Sequence, residues 1–176
     1  HPAVVYRRAL SGAYVHAGEF PGPVLSAAAL PAWAADYIGT PYVDLGRDRA
    51  GCDCWGLVRL IWSERFGIEV PGFLDRYGTA DDGAAVEAAL HANRADGQDW
   101  TEIAAGGERL GDGVLMTGFY KAAGKWQKAD MHVGLVLAPG VLIHVEAGID
   151  ASLAHYRADR RMKNRILGFY RHRDMA

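Results

Sequence analysis

The stretch Gly51-Cys52-Asp53-Cys54-Trp55-Gly56-Leu57-Val58-Arg59-Leu60-Ile61 sets a thiol directly behind an acidic residue, at the head of an apolar run of helical length. An Asp just before the first periodic apolar residues is a helix N-cap signal, and Gly67 is a natural C-cap for the run that follows. Cys54 then falls in the first helical turn, where free backbone N–H groups and the positive end of the helix dipole favour thiolate over thiol. A free cysteine with a pKa of about 8.5 is only a few per cent ionised at neutral pH. A nucleophilic Cys54 needs that help.

A thiol peptidase or acyl-transfer site also requires an imidazole to take and return the proton, and a polar group to orient it. His132 and His144 supply these types, although seven histidines in the chain make composition alone weak support. His132-Val133-Gly134-Leu135-Val136-Leu137 and Val141-Leu142-Ile143-His144-Val145-Glu146 read as strands joined by a hairpin at Ala138-Pro139-Gly140. Side chains alternate along a strand, so loop length decides whether the histidines meet. With a two-residue Pro139-Gly140 loop they point to opposite faces. With an odd loop such as Ala138 to Gly140, Gly134 faces His144 and both histidines lie on one face as diagonal neighbours. Proline fits poorly in the middle of a three-residue loop built on a type I turn, and the turn stays open.

A zinc site from Cys52, Cys54, His132 and His144 is the rival chemistry. Cys-x-Cys is a poorer spacing for it than Cys-x2-Cys, and no metal or other cofactor is expected. A Cys52–Cys54 disulfide would close a small strained ring, and Cys52 reads as a small buried hydrophobe.

The elements that must position these groups follow along the chain. Residues 1 to 30 carry Pro2, Pro21 and Pro23 with little periodicity, apart from a possible short strand at Ala3 to Tyr6, and read as an extension. The domain proper is expected over 31 to 176. Pro31 to Ile38 reads as a short helix with proline at its first position, ended by Gly39. Pro41 biases Thr40 to an extended conformation, which sends Tyr42 towards the Cys54 turn. Asp81-Asp82-Gly83 caps a helix through Ala95 with Val86, Ala89 and Leu90 on one face and His91 at the surface. Trp100 to Ile103 and Val114 to Met116 read as strands, and Ile166 to Tyr170 as a closing strand. The segment Phe119 to Asp130, with Tyr120, Lys121, Trp126 and Lys128, could wall a cleft but reads more simply as a solvated hairpin tip.

Gly39-Thr40-Pro41-Tyr42, Asp53-Cys54-Trp55-Gly56-Leu57-Val58, Gly111-Asp112, His132-Val133-Gly134 and Ile143-His144, in this order, resemble the NlpC/P60 peptidase family. The Asp-Cys-Trp-Gly variant is similar to the cell-wall peptidases encoded with phage tails and gene transfer agents. The resemblance runs in scattered blocks from about Ala32 to Phe169. It implies a papain-like α+β fold, with the nucleophile helix packed on an antiparallel sheet, and hydrolysis of peptide bonds in peptidoglycan stem peptides. It implies Cys54 as nucleophile, His132 as base, His144 as the residue orienting the imidazole, and Tyr42 as a polar contact beside the thiol. Asp53 and Trp55 join Tyr42 as candidate substrate contacts. Many cellular members carry Ser at the position of Trp55, where Asp, Ser and Tyr help bind a free amino terminus; Trp55 departs from that pattern.

Bulk properties bound the partners. At 176 residues, half of them hydrophobic, the chain has material for one domain with a proper core. A net charge of −2 leaves no electrostatic footprint for nucleic acid, and the one basic stretch runs from Arg157 to Arg173. No apolar run is long enough to span a bilayer, and the start lacks the zones of a signal peptide in order. The resemblance thus implies a protein made in the bacterial cytoplasm and carried to a recipient's periplasm or wall in a phage-like tail. Its partners would be tail-tip or baseplate proteins, docked through residues 1 to 30 or Arg157 to Arg173. A catalytically idle structural subunit of the tail tip is the alternative.

Overall fold

The computed structural model describes residues 6–8, 14–16, 30–73, 78–79, 82–95 and 99–175. The helix α1, Cys54–Ile61, starts where the sequence places it. Asp53 is extended, with φ −81° and ψ 179°, and its side chain accepts the Gly56 N–H at 2.6 Å. Trp55, Leu57, Val58 and Ile61 turn inwards. The chain continues through one wider π turn, Trp62–Phe66, and stops at Gly67 in the left-handed conformation, φ 65°. Gly56 has its own reason: a Cβ there would stand 2.0 Å from the Gly46 carbonyl oxygen, so only glycine lets α1 lie this close to the preceding loop.

That loop carries a short antiparallel pair, β3 (Arg47–Asp48) and β4 (Gly51–Cys52). The strands β1, Tyr6–Arg8, and β2, Tyr14–His16, pair with each other; the remainder of the expected Ala3 to Tyr6 strand lies outside the described residues. The short helix expected over 31 to 38 is a 3-10 helix, Ala32–Asp36, with Pro31 as its N-cap instead of its first residue. Five residues are too few to bank the i to i+4 bonds that favour α geometry.

Six antiparallel strands form the main sheet: β5 (Trp100–Ile103), β6 (Gly113–Ala122), β7 (Lys125–Ala138), β8 (Val141–Glu146), β9 (Ile149–His155) and β10 (Ile166–His172), in the order β5-β10-β6-β7-β8-β9. β9 carries little sequence signal, because Asp150, Ala151, Ser152 and Ala154 are weak strand formers and only Ala151 and Leu153 are buried. The fold is α+β with α1 on an antiparallel sheet, as expected. One face of the sheet (Leu115, Val133, Leu135, Ile143, Val145) packs on α1 and on the helix α2, Gly83–Ala95. α2 is opened by Asp82, which accepts the Ala85 N–H at 3.1 Å; the side chains of Leu90 and His91 lie outside the description. The other face (Val114, Met116, Val136, Leu142, Phe169) closes over Tyr156 and Met162 of the short helix α3, Arg160–Lys163.

The motif Gly111-Asp112 is architectural. Asp112 is fully buried, and its carboxylate takes two hydrogen bonds from Arg171, 2.8 and 2.7 Å, and one from the Arg109 N–H, 2.8 Å. This locks β10 to the turn that enters β6. Arg157, itself exposed, pairs with buried Glu108, and Arg173 pairs with Asp99 at the surface, so part of the charge in the basic C-terminal stretch is matched within the chain.

Candidate active site

Cys54 heads α1, half-buried, with its sulfur 3.9 Å from the carbonyl oxygen of Met131, the residue before His132. Burial, reinforced by the neighbouring Asp53 carboxylate, pushes the thiol up to about 12. The backbone N–H groups of Val133 and Trp55 pull the other way. The resting thiol is therefore neutral, against the expectation that the helix terminus alone favours thiolate: in this dry setting desolvation outweighs the dipole.

His132 and His144 meet. His132 Nε2 lies 2.9 Å from His144 Nδ1, both rings being buried. The hairpin uses both arrangements left open by the sequence. Ala138 pairs with Val141 around a two-residue Pro139-Gly140 turn, Gly140 having φ 98°, and a β-bulge then shifts the register so that Val136 pairs with Leu142 and Leu135 with Ile143. That is the odd-loop register, with the histidines on one face.

Burial drives His132 down to about 3, with His144 and Arg165 adding to the drop and Glu146 opposing it. His132 is thus a neutral imidazole at working pH. One of its nitrogens is engaged by His144, leaving Nδ1 to receive a proton.

A cleft of about 390 Å³ gathers Tyr42, Asp53, Cys54, Trp55, His132, Glu146 and Arg165. The candidate substrate contacts stand here with differing freedom. Tyr42 is half-buried. Asp53 is buried, with Oδ1 held by the Gly56 N–H and by Arg47 at 2.6 Å. Trp55 donates its indole N–H to the Pro71 carbonyl at 2.8 Å and stacks on Phe73 at 5.4 Å, so it forms wall rather than a mobile contact. The segment from Phe119 to Asp130 is the exposed hairpin that was expected, and it also walls the cleft. Phe119, Tyr120, Lys121 and Trp126 line it, because β6 and β7 run on as a long ribbon to an Ala123-Gly124 turn with both φ positive, and Gly83 at the head of α2 backs directly onto the Tyr120 ring.

Two residues of the site, Glu146 and Arg165, are not among the candidate site residues drawn from the sequence. Glu146 Oε1 lies 3.2 Å from His144 Nδ1 and 3.4 Å from His132 Nε2, and Arg165 donates to the same oxygen at 2.5 Å. Alternation on β8 signals Glu146, two residues beyond His144. Arg165 is hidden among other arginines.

His132, His144 and Glu146 have the donor types of a metal site. Yet the imidazoles face each other end-on, with ring centroids 5.2 Å apart across the 2.9 Å contact, so their lone pairs lie along one line instead of converging on an ion. The Arg165 guanidinium on Glu146 already supplies a cation. Among the described residues this cluster includes neither cysteine, and Cys52 turns its thiol to the Asp48 carbonyl at 3.0 Å. The four-ligand zinc arrangement is not assembled.

No protein-family model and no curated protein sequence matches the chain. Among solved structures it is similar to an NLP/P60-family lipoprotein-like protein from Staphylococcus aureus, at 21% identity and a TM-score of 0.50, over 78% of this chain and 38% of that one. It is also similar to the NlpC/p60 domain of the peptidoglycan hydrolase SagA, at 24% identity and a TM-score of 0.46, over 76% of this chain and 92% of that one. The fold is therefore that of the NlpC/P60 proteins.

Proposed function

We propose that this chain is a cysteine endopeptidase acting on peptidoglycan stem peptides, with Cys54 as nucleophile, His132 as proton carrier and His144 as the residue that orients it. The observation that carries the reading is the 2.9 Å His132–His144 contact behind a cleft lined by both Cys54 and His132. His132 Nε2–H donates to His144 Nδ1, which fixes the tautomer whose Nδ1 lone pair is free. That nitrogen takes the thiol proton as sulfur attacks the peptide carbonyl carbon. Two neutral partners thus become a thiolate–imidazolium pair only as the reaction begins. His132 then protonates the leaving amine, a thioester remains on Cys54, and a water deprotonated by His132 hydrolyses it.

The substrate class rests on the ordered motifs from Gly39 to His144 and on the NlpC/P60 fold. The Asp-Cys-Trp-Gly variant at Asp53 to Gly56 favours a setting at a phage-like tail tip, where the enzyme would open the recipient's wall and residues 1 to 30 would serve as a docking arm. Among the described residues no helix is long and apolar enough to cross a membrane. Purified peptidoglycan incubated with wild type and with Cys54→Ala, followed by mass spectrometry, tests the activity: new peptide termini with the wild type alone are expected, and none with either would overturn it. Deleting residues 1 to 27 and measuring incorporation into purified particles tests the arm, which unchanged incorporation would rule out as an essential anchor.

A further inference from the structure

The contacts of the two facing imidazoles do not end with each other. Glu146 Oε1 stands beside both facing nitrogens, 3.2 and 3.4 Å away, at the end of β8. Arg165 reaches the same oxygen from the segment leading into β10, at 2.5 Å. Arg165 is itself pinned: its Nε donates to the Thr117 carbonyl at 3.0 Å, and the Thr117 N–H donates to the Arg165 carbonyl at 2.8 Å. That anchorage lies at the irregularity between Met116 and Gly118 in the β6–β7 pairing, next to the strand position of His132. A carboxylate and a guanidinium, both mostly shielded, are thus held against the two facing imidazoles, one of which must become positive during the proposed reaction.

Resting on that proposed reaction, we propose that Glu146 and Arg165 are positioning residues: Glu146 supports positive charge on His132, and Arg165 fixes that carboxylate and tempers its pull. The groups that act on His132 are His144 and Glu146 from β8 and Arg165, while Asp53 and Cys54 line the same cleft. Among these the two carboxylates differ in reach, because Asp53 is tied to Arg47 and the Gly56 N–H whereas Glu146 lies against the imidazoles. Burial works to raise the Glu146 carboxyl, but its contacts with the two imidazoles and with the Arg165 guanidinium hold it well below the usual range, so it remains an anion while His132 cycles. Glu146 raises the basicity of His132 and Arg165 lowers it. The two side chains therefore act on the base with opposite sign.

Opposite sign is what a purely structural role would not produce. Glu146→Gln should cut kcat/KM on peptidoglycan by about tenfold or more at neutral pH without raising the acid limb of the pH profile, since each unit of lost basicity is about a factor of ten in the protonation equilibrium. Arg165→Gln should move the acid limb upwards, and the double variant should bring it back towards wild type. Limbs shifting in the same direction, or a Glu146→Gln enzyme within twofold of wild type, would overturn the proposal. A second measurement separates this from failure of the peptidase reading: imidazole NMR titration of His132 in the Cys54→Ala background, where the order of basicity should be Arg165→Gln above the parent and the parent above Glu146→Gln. If peptidoglycan is not cut in a Cys54-dependent way but that order holds, the peptidase reading fails and the electrostatic coupling stands; an unchanged His132 in both variants would sink the coupling itself.

Discussion

His132 and His144 face each other at 2.9 Å because one β-bulge follows the Pro139-Gly140 turn. Without the bulge, the two-residue turn would continue its own register and leave the imidazoles on opposite sides of the sheet. Gly140, at φ 98°, is the residue that permits this turn, and a Cβ there would also press on the Arg157 side chain at 3.1 Å. Gly140→Ala should destabilise the protein by about 1 kcal/mol or more, read from urea denaturation, with hydrolysis by the folded fraction lowered if the register loosens.

The two cysteines should separate cleanly. Cys54→Ala or Cys54→Ser is expected to abolish hydrolysis while leaving the fold intact, since a helix start tolerates either small residue. Cys52 is fully buried with its thiol turned to the Asp48 carbonyl. Cys52→Ala should cost about 1 kcal/mol or so of stability through lost packing and leave kcat nearly unchanged. Equal loss of activity in both would mean that the nucleophile is misassigned.

His132→Ala should remove the proton carrier and with it essentially all turnover. His144→Gln should keep appreciable activity, because an amide oxygen can still accept from His132 Nε2–H and hold the ring. Rates measured on the same peptidoglycan preparation decide this, and a dead His144→Gln enzyme would assign His144 a proton of its own.

With the thiol pushed up to about 12 and His132 down to about 3, resting Cys54 should react with iodoacetamide at pH 7 more slowly than a free cysteine, by about tenfold or more. The buried imidazole also predicts how stability depends on pH. Below its ordinary pKa of 6.5, His132 takes up a proton when the chain is unfolded but not when it is folded, so stability is lost as pH falls from 6.5 towards 3. His132→Gln should flatten that part of the curve of urea midpoint against pH.

Arg171→Met should destabilise the fold by about 3 to 5 kcal/mol, because it strands the fully buried Asp112 carboxylate without its counter-ion. Thermal unfolding would show this. Replacing Asp112 and Arg171 together by apolar residues should recover part of the loss, which a catalytic role for Gly111-Asp112 would not predict.

The sequence by itself determined the features that are local. Asp53 followed by an apolar run ending at Gly67 is enough to start and stop the helical segment headed by Cys54, because capping depends on residues within one turn of the ends. The strands holding His132 and His144 were equally legible, since their apolar runs and the Pro139-Gly140 turn are contiguous in the chain. What needed the tertiary structure are effects of depth and of distant partners. Only tertiary packing moves the Cys54 thiol so far up and the His132 imidazole so far down from their ordinary values, and desolvation there exceeds what a helix terminus supplies. Only the long β6–β7 ribbon, backed by Gly83 of α2, turns Phe119 to Trp126 into a cleft wall. The bulge that joins the imidazoles and the approach of Arg165 to Glu146 from beyond the sheet were likewise decided by strand pairing, which no pattern within either segment encodes.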